Sequence, residues 1–154
     1  MIRRRLKELR AFGPDQWRIV GASLVLIPAV QIAVHAKGFV ATANKLAGWS
    51  HGTAGSPDLV RSRRAAMAVA VVASRKVVGA PCLARSLVLW FLMRRHGVDA
   101  EVVIGAEMPG EGPLFAHAWV EVLGEPINDE PNVRERFGSF GVQLPRLSRA
   151  IVSD

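Results

Sequence analysis

Residues 81–87 of this chain read Pro-Cys-Leu-Ala-Arg-Ser-Leu, and Cys82 is the only cysteine among 154 residues. Pro81 suits the first position of a helix, which predicts Cys82 in the first helical turn. The positive end of a helix stabilises a thiolate, and its free backbone N–H groups can hold an oxyanion. The stretch therefore predicts a helix that begins with a nucleophilic thiol, although a lone cysteine is more often a small buried side chain.

A strand and a carboxylate that suit such a thiol follow it in the sequence. Residues 116–122 read Ala-His-Ala-Trp-Val-Glu-Val. In a strand, this pattern puts His117 on the same face as Phe115 and Trp119, with small residues on the other face. Asp129 follows twelve positions after His117. A thiol, an imidazole and a carboxylate in this order are the parts of a Cys-His-Asp hydrolase.

The length of the turn after this strand decides which side chain meets His117. A three-residue turn over 123–125 places Asp129 on the face of His117, whereas a two-residue turn brings Asn128 there. Either side chain can orient an imidazole. An anionic Asp also stabilises the imidazolium, so Asp129 is favoured. Glu121 shares the face of His117 and is expected to be a rim charge.

The chain is expected to fold as a helical N-terminal half over residues 1–78 and a second half over 79–154, joined in one compact unit. The second half combines a central apolar helix with short antiparallel strands, which indicates the α+β class. Asp15 can cap the helix that follows it, and Gly97 suits the end of the central helix. The expected later helices and strands cover about 58–78, 81–95, 101–106, 114–122 and 127–129, and only weak pattern follows Pro131.

An apolar run from Ile19 to Val34, preceded by basic residues, could be mistaken for a signal peptide or a membrane anchor. It has no clean small-residue cleavage site, and Pro28 and Gln31 are expected to interrupt it. We therefore expect this run to pack on the core or on a partner without spanning a bilayer, with peripheral membrane contact as a further expectation.

Composition narrows the class of partner. The net charge of +7 favours an acidic partner, an anionic membrane surface or nucleic acid, and no tyrosine is present. Without interleaved aromatic residues, binding of single-stranded nucleic acid by stacking is not expected. A single cysteine excludes an internal disulfide and a cysteine-pair zinc site, and we expect no metal and no cofactor. A reducing cytoplasm would keep the thiol usable.

Several motifs in the second half together resemble the leader peptidases of lasso-peptide biosynthesis, a transglutaminase-like branch of the papain-type cysteine peptidases. The resemblance covers about residues 79–138. The motifs are Cys82-Leu83-x-Arg85-Ser86-Leu87, Arg94-Arg95-His96-Gly97-Val98, Glu101-Val102-Val103-Ile104-Gly105, Phe115-Ala116-His117-Ala118-Trp119-Val120-Glu121 and Asn128-Asp129.

The resemblance implies a papain-type core in which Cys82 is the nucleophile, His117 the base and Asp129 the third member. It also implies a standalone peptidase, because no strand-rich leader-binding segment precedes the peptidase region. The implied partners are a precursor peptide, a separate leader-recognition protein and an asparagine-synthetase-like macrolactam cyclase. Two alternatives remain open: an acyltransferase of the same fold, and a non-enzymatic basic peptide- or membrane-binding module.

Overall fold

The computed structural model describes residues 12–50, 55, 58–74, 81–107 and 115–140. Four helices come first and a small sheet follows, as expected for the α+β class. The elements are α1 (Pro14–Lys37), α2 (Phe39–Trp49), α3 (Leu59–Ala73), α4 (Cys82–Arg95), β1 (Ala100–Glu107), β2 (Phe115–Val122), β3 (Glu125–Pro126), α5 (Val133–Arg136) and β4 (Gly138–Phe140).

The sheet has the order β3-β2-β1-β4, and every neighbouring pair is antiparallel. β1 and β2 pair from Ala100 opposite Val122 to Glu107 opposite Phe115. Because side chains alternate along a strand, the sheet has two different faces. One face, with Val102 and Val120, joins the main hydrophobic core, and the other carries Trp119.

Helix α4 lies at the centre of the main core, as its apolar residues predict. Its residues from Ser86 to Arg94 are all buried. The indole N–H of Trp90 donates to the carbonyl oxygen of Ala100 at 2.9 Å, which ties the helix to the start of β1. The helix closes at Gly97, as expected, with a φ of 73° and an N–H that donates to Arg94 O at 3.0 Å.

Pro28 does not interrupt the apolar run, contrary to the sequence-based expectation, because α1 is continuous from Pro14 to Lys37. A proline inside a helix costs about 3 kcal/mol. Burial of Ile27 and Val30 on either side of Pro28 offsets that cost through packing on the main core. The expected cap is also wrong: Gly13 is the N-cap, and its N–H donates to Gln16 Oε1 at 2.8 Å.

Three other boundaries differ from the sequence-based expectation. Helix α3 begins at the expected place, where Asp58 Oδ1 accepts from Arg61 N at 3.0 Å, but it ends at Ala73 rather than near Val78. Residues 127–129 form a bend, since β3 covers only Glu125–Pro126. The segment after Pro131, where only weak pattern was expected, contains α5 and β4.

Helix α1 is long and apolar enough to cross a membrane by length and composition alone, a test that core helices of soluble proteins also pass. One side of α1 packs on the molecule: Ile19, Ser23, Ile27 and Val30 are buried. The three apolar ones share one cluster with α3, α4 and the sheet. The expected packing of the run on the core is therefore confirmed for this side of the helix.

Candidate active site

Cys82 is the first residue of α4, one position earlier in the helix than expected, because Pro81 is the N-cap rather than the first helical residue. Its thiol is free and half-buried. The first hydrogen bond of the helix runs from Arg85 N to Pro81 O at 3.2 Å. The N–H groups of residues 82–84 therefore have no acceptor within the helix, and they remain available as donors in the turn that carries Cys82.

The start of α4 is attached to one edge of β2. Val120 O accepts from Ile127 N at 2.9 Å, so the backbone groups of Val120 point toward the β3 side. Alternate residues of a strand direct their backbone groups to the same side, which puts Ala118 O there as well. Ser86 Oγ donates to Ala118 O at 2.9 Å. Helix α4 is therefore hydrogen-bonded to the edge of β2 that faces away from β1.

Asn128 completes this attachment. Its Oδ1 accepts from Val120 N at 2.7 Å, and its Nδ2 donates to Ser86 Oγ at 3.3 Å. Ser86, which contacts Ala118, comes one helical turn after Cys82. Further along α4, Trp90 contacts Ala100, which pairs with Val122 near the end of β2. Helix α4 and strand β2 therefore run in the same direction. The turn that carries Cys82 thus lies toward the His117 end of β2.

His117 and Asp129 are hydrogen-bonded, with 2.6 Å between His117 Nε2 and Asp129 Oδ2. Both side chains are about four-fifths buried, with exposures of 22% and 17%. Asp129 Oδ1 accepts from Glu130 N at 2.9 Å, which fixes the orientation of the carboxylate. The structure therefore joins two of the three residues expected at the site and puts the third at the start of the neighbouring helix.

The route by which Asp129 reaches His117 differs from the register argument. Val122 pairs with Glu125, so the turn has two residues, Leu123 and Gly124, with φ values of 55° and 78°. That turn was expected to bring Asn128 to His117. The pairing stops at Pro126, and the bend over 127–129 turns Asn128 to the β2 backbone and Asp129 to the imidazole.

Two aromatic rings enclose His117, but one of them is not the expected ring. Trp119 stacks on His117 with 6.1 Å between ring centroids, and Phe137 lies 4.8 Å away. Phe115 was expected in this role, but its side chain is 56% exposed. Gly105 pairs with His117 across the sheet, and a Cβ there would lie 2.8 Å from Phe137 Cβ and 3.0 Å from the Trp119 ring. The absence of a side chain at Gly105 lets both rings pack over β1.

Glu121 is a buried charge rather than the expected rim charge, with only 2% of its surface exposed. Its Oε1 accepts from Trp119 Nε1 at 2.7 Å and from Arg134 Nε at 2.7 Å, and Oε2 accepts from Arg134 Nη2. Hydrogen bonding to Glu121 raises the pKa of the Arg134 guanidinium. Glu121 therefore fixes the indole that lies against His117, and sequence reasoning missed it because Arg134 lies in a segment of weak pattern.

Arg85 was also missed as a neighbour of the site. It follows Cys82 by three residues on α4, and its Nη2 lies 4.0 Å from Asp129 Oδ2. Its side chain is 27% exposed. The other histidines are elsewhere: His35 and His96 are exposed at helix ends, and His51 lies outside the described residues.

The sequence profile of the transglutaminase-like superfamily matches residues 24–141, which is more than half of the chain. The chain belongs to the transglutaminase-like superfamily. This transglutaminase-like chain is also 40% identical over 55 residues to the microcin J25-processing protein McjB of Escherichia coli. The match covers 36% of this chain and about a quarter, 25%, of that relative. Comparison with solved structures finds no match.

Proposed function

We propose that this chain is a cysteine peptidase that removes the leader from a ribosomally made lasso-peptide precursor in the cytoplasm. The observation that carries the proposal is the His117–Asp129 hydrogen bond at the edge of β2 where the Cys82 helix begins. Two further observations support it. They are the superfamily match and the similarity to a protein named for processing a microcin.

The proposed reaction uses both nitrogens of His117. A carboxylate only accepts hydrogen bonds, so Nε2 carries a proton toward Asp129 and leaves Nδ1 as the base. Nδ1 takes the Cys82 thiol proton while the sulfur attacks the scissile carbonyl. The N–H groups at the start of α4 stabilise the resulting oxyanion. The imidazolium then protonates the leaving amine, and a thioester remains on Cys82.

Water completes the reaction. His117 accepts a proton from a water molecule that attacks the thioester, and the Cys82 thiolate leaves and is reprotonated. The products are a carboxylate at the end of the leader and a free amine on the core peptide. Asp129 stabilises the imidazolium in both halves of the reaction.

The direct test is leader removal from a precursor peptide by the full chain, followed by mass spectrometry. Cys82→Ala is expected to abolish cleavage, whereas Ser74→Ala, at an exposed hydroxyl after α3, is expected to retain it. Removal of the leader by Cys82→Ala would contradict the proposal.

An acyltransferase of the same fold would use the same three residues but an amine in place of water. The superfamily match is equally consistent with this alternative. Product analysis separates the two: a free leader acid indicates hydrolysis, and a new amide indicates transfer.

The proposed partners are the precursor peptide, a separate leader-recognition protein and the macrolactam cyclase that acts on the product. A recognition protein that binds both leader and peptidase would raise the effective concentration of the scissile bond at Cys82. The basic surface of this chain would favour acidic segments near the cut.

A further inference from the structure

One side of α1 is exposed and apolar along most of its length. Trp17 and Leu24 are each 52% exposed, and Val25 and Ile32 are each 70% exposed. At 3.6 residues per turn these positions share one side of the helix, opposite Ile27 and Val30. We call this exposed side the α1 stripe, made of Trp17, Gly21, Leu24, Val25, Ala29 and Ile32.

The α1 stripe is unusual for a surface that faces water. Residues 19–34 contain no Asp, Glu, Lys, Arg or His, so neither side of α1 carries a charged side chain along this part. A helix that is apolar all round is normally covered on every side. α1 is covered on only one side, and a contiguous exposed apolar surface marks an interaction site.

Charged groups lie near both ends of the α1 stripe. Arg18 adjoins Trp17, and His35 and Lys37 follow Ile32 in the last turn. In the sequence, residues 1–10 contain one acidic residue, Glu8, and five basic residues: Arg3, Arg4, Arg5, Lys7 and Arg10. Clusters of basic residues beside an apolar helix are the pattern that binds anionic lipid headgroups.

We propose that the α1 stripe rests on the surface of an anionic membrane, with α1 parallel to the bilayer plane. Val25 and Ile32 enter the acyl boundary, and Trp17 lies at the headgroup level, which indole rings favour. The opposite side of α1 stays packed on the core through Ile27 and Val30. This proposal is independent of the proposed peptidase activity.

The chemistry of the stripe favours lipid over a protein partner. Protein interfaces carry about one hydrogen bond per 100–200 Å². Between Arg18 and His35, the exposed positions of the stripe offer no hydrogen-bonding side chain. A second copy of this chain would bring two net charges of +7 together, which opposes association through this face.

The test is co-sedimentation of the full chain with vesicles of phosphatidylglycerol and phosphatidylcholine, compared with phosphatidylcholine alone. We expect stronger binding to the anionic vesicles and weaker binding as salt rises. The double variant Val25→Glu with Ile32→Glu is expected to lower the partition at least tenfold. Leu123→Glu is the matched control, because Leu123 is 68% exposed in the β2–β3 turn, away from α1, and should bind like wild type.

Circular dichroism checks that the double variant is folded, and both of its substitutions replace exposed side chains. Equal vesicle binding by the double variant and wild type would overturn the proposal, as would no binding to anionic vesicles. Retention of the chain in the membrane after carbonate washing would show spanning rather than surface binding. An oligomer that the double variant dissociates, without vesicle binding, would show that the stripe joins copies of the chain.

Discussion

Asp129 and Asn128 are neighbours with different contacts, and single substitutions should separate their effects. Asp129 meets His117, whereas Asn128 ties Ser86 of α4 to the β2 backbone. Asp129→Ala is expected to lower kcat by about 10²-fold or more, because the imidazolium loses its anionic partner. Leader cleavage under saturating substrate measures this change.

Asn128→Ala is the counterpart. It leaves the Val120 N–H without its acceptor, which should lower the free energy of unfolding by about 1–2 kcal/mol. Below the unfolding transition, its kcat should fall much less than that of Asp129→Ala. A larger loss of kcat for Asn128→Ala than for Asp129→Ala would show that Asn128 is the third catalytic member.

Among the ion pairs of the described residues, the Glu121–Arg134 pair has the most deeply buried carboxylate. Arg134→Ala leaves this carboxylate without its cation, and we expect a loss of about 2 kcal/mol in unfolding free energy, moderated because the Arg134 side chain is 54% exposed. Arg63→Ala is the control: it breaks a 2.8 Å pair with Glu125 whose partners are both 52% exposed. That loss should stay within about 0.5 kcal/mol, and equal losses by chemical denaturation would contradict the account.

The packing of Phe137 and Trp119 over β1 leaves no room for a side chain at Gly105, the residue opposite His117. In Gly105→Ala, the added methyl group meets Phe137 and the Trp119 ring, the two rings that enclose the imidazole. Overpacking of this kind costs about 1–3 kcal/mol and should also lower kcat by displacing His117. Thermal unfolding and cleavage rates measure both effects.

Gly21→Ala in α1 is the matched substitution, since nothing lies within 4 Å of the added methyl group. It should stabilise the chain by up to about 1 kcal/mol through helix propensity alone. A neutral Gly105→Ala would show that the packing around His117 tolerates an extra methyl group. Destabilisation by Gly21→Ala would instead contradict the open space beside Gly21.

Elements with strong local signals could be predicted from sequence, and those that depend on distant contacts could not. The central helix, its Gly97 end and the alternating strand around His117 follow from periodicity and capping. The continuity of α1 through Pro28 depends on packing of the residues around it, which no local rule includes. Asp129 is hydrogen-bonded to His117, and a bend rather than the expected three-residue turn brings it there.

At the scale of the whole molecule, the residues that pack behind Trp119 and Glu121 could not be predicted, because they come from the segment after Pro131. Val133 and Phe137 pack with Trp119 on the sheet face opposite α4, and Arg134 reaches Glu121. The sequence of this segment has no clear period, since a four-residue helix and a three-residue strand are too short to show one. The division into residues 1–78 and 79–154 stays a prediction.

Recognition of the leader by a separate protein is a prediction for the whole assembly. At low precursor concentration, we expect the recognition protein to raise the cleavage rate through a lower KM, because it tethers the leader beside Cys82. Comparison of rates with and without that protein measures the effect. Equal rates would show that this chain binds the leader by itself.

The central claim is that His117 activates Cys82, and the single cysteine makes the measurement unambiguous. The rate of alkylation of Cys82 by iodoacetamide is measured against pH for wild type and His117→Ala. We predict fast reaction below about pH 8 in wild type, with a rate at least about tenfold lower in His117→Ala. A slow rate that is the same in both proteins would identify Cys82 as a structural cysteine and contradict the account.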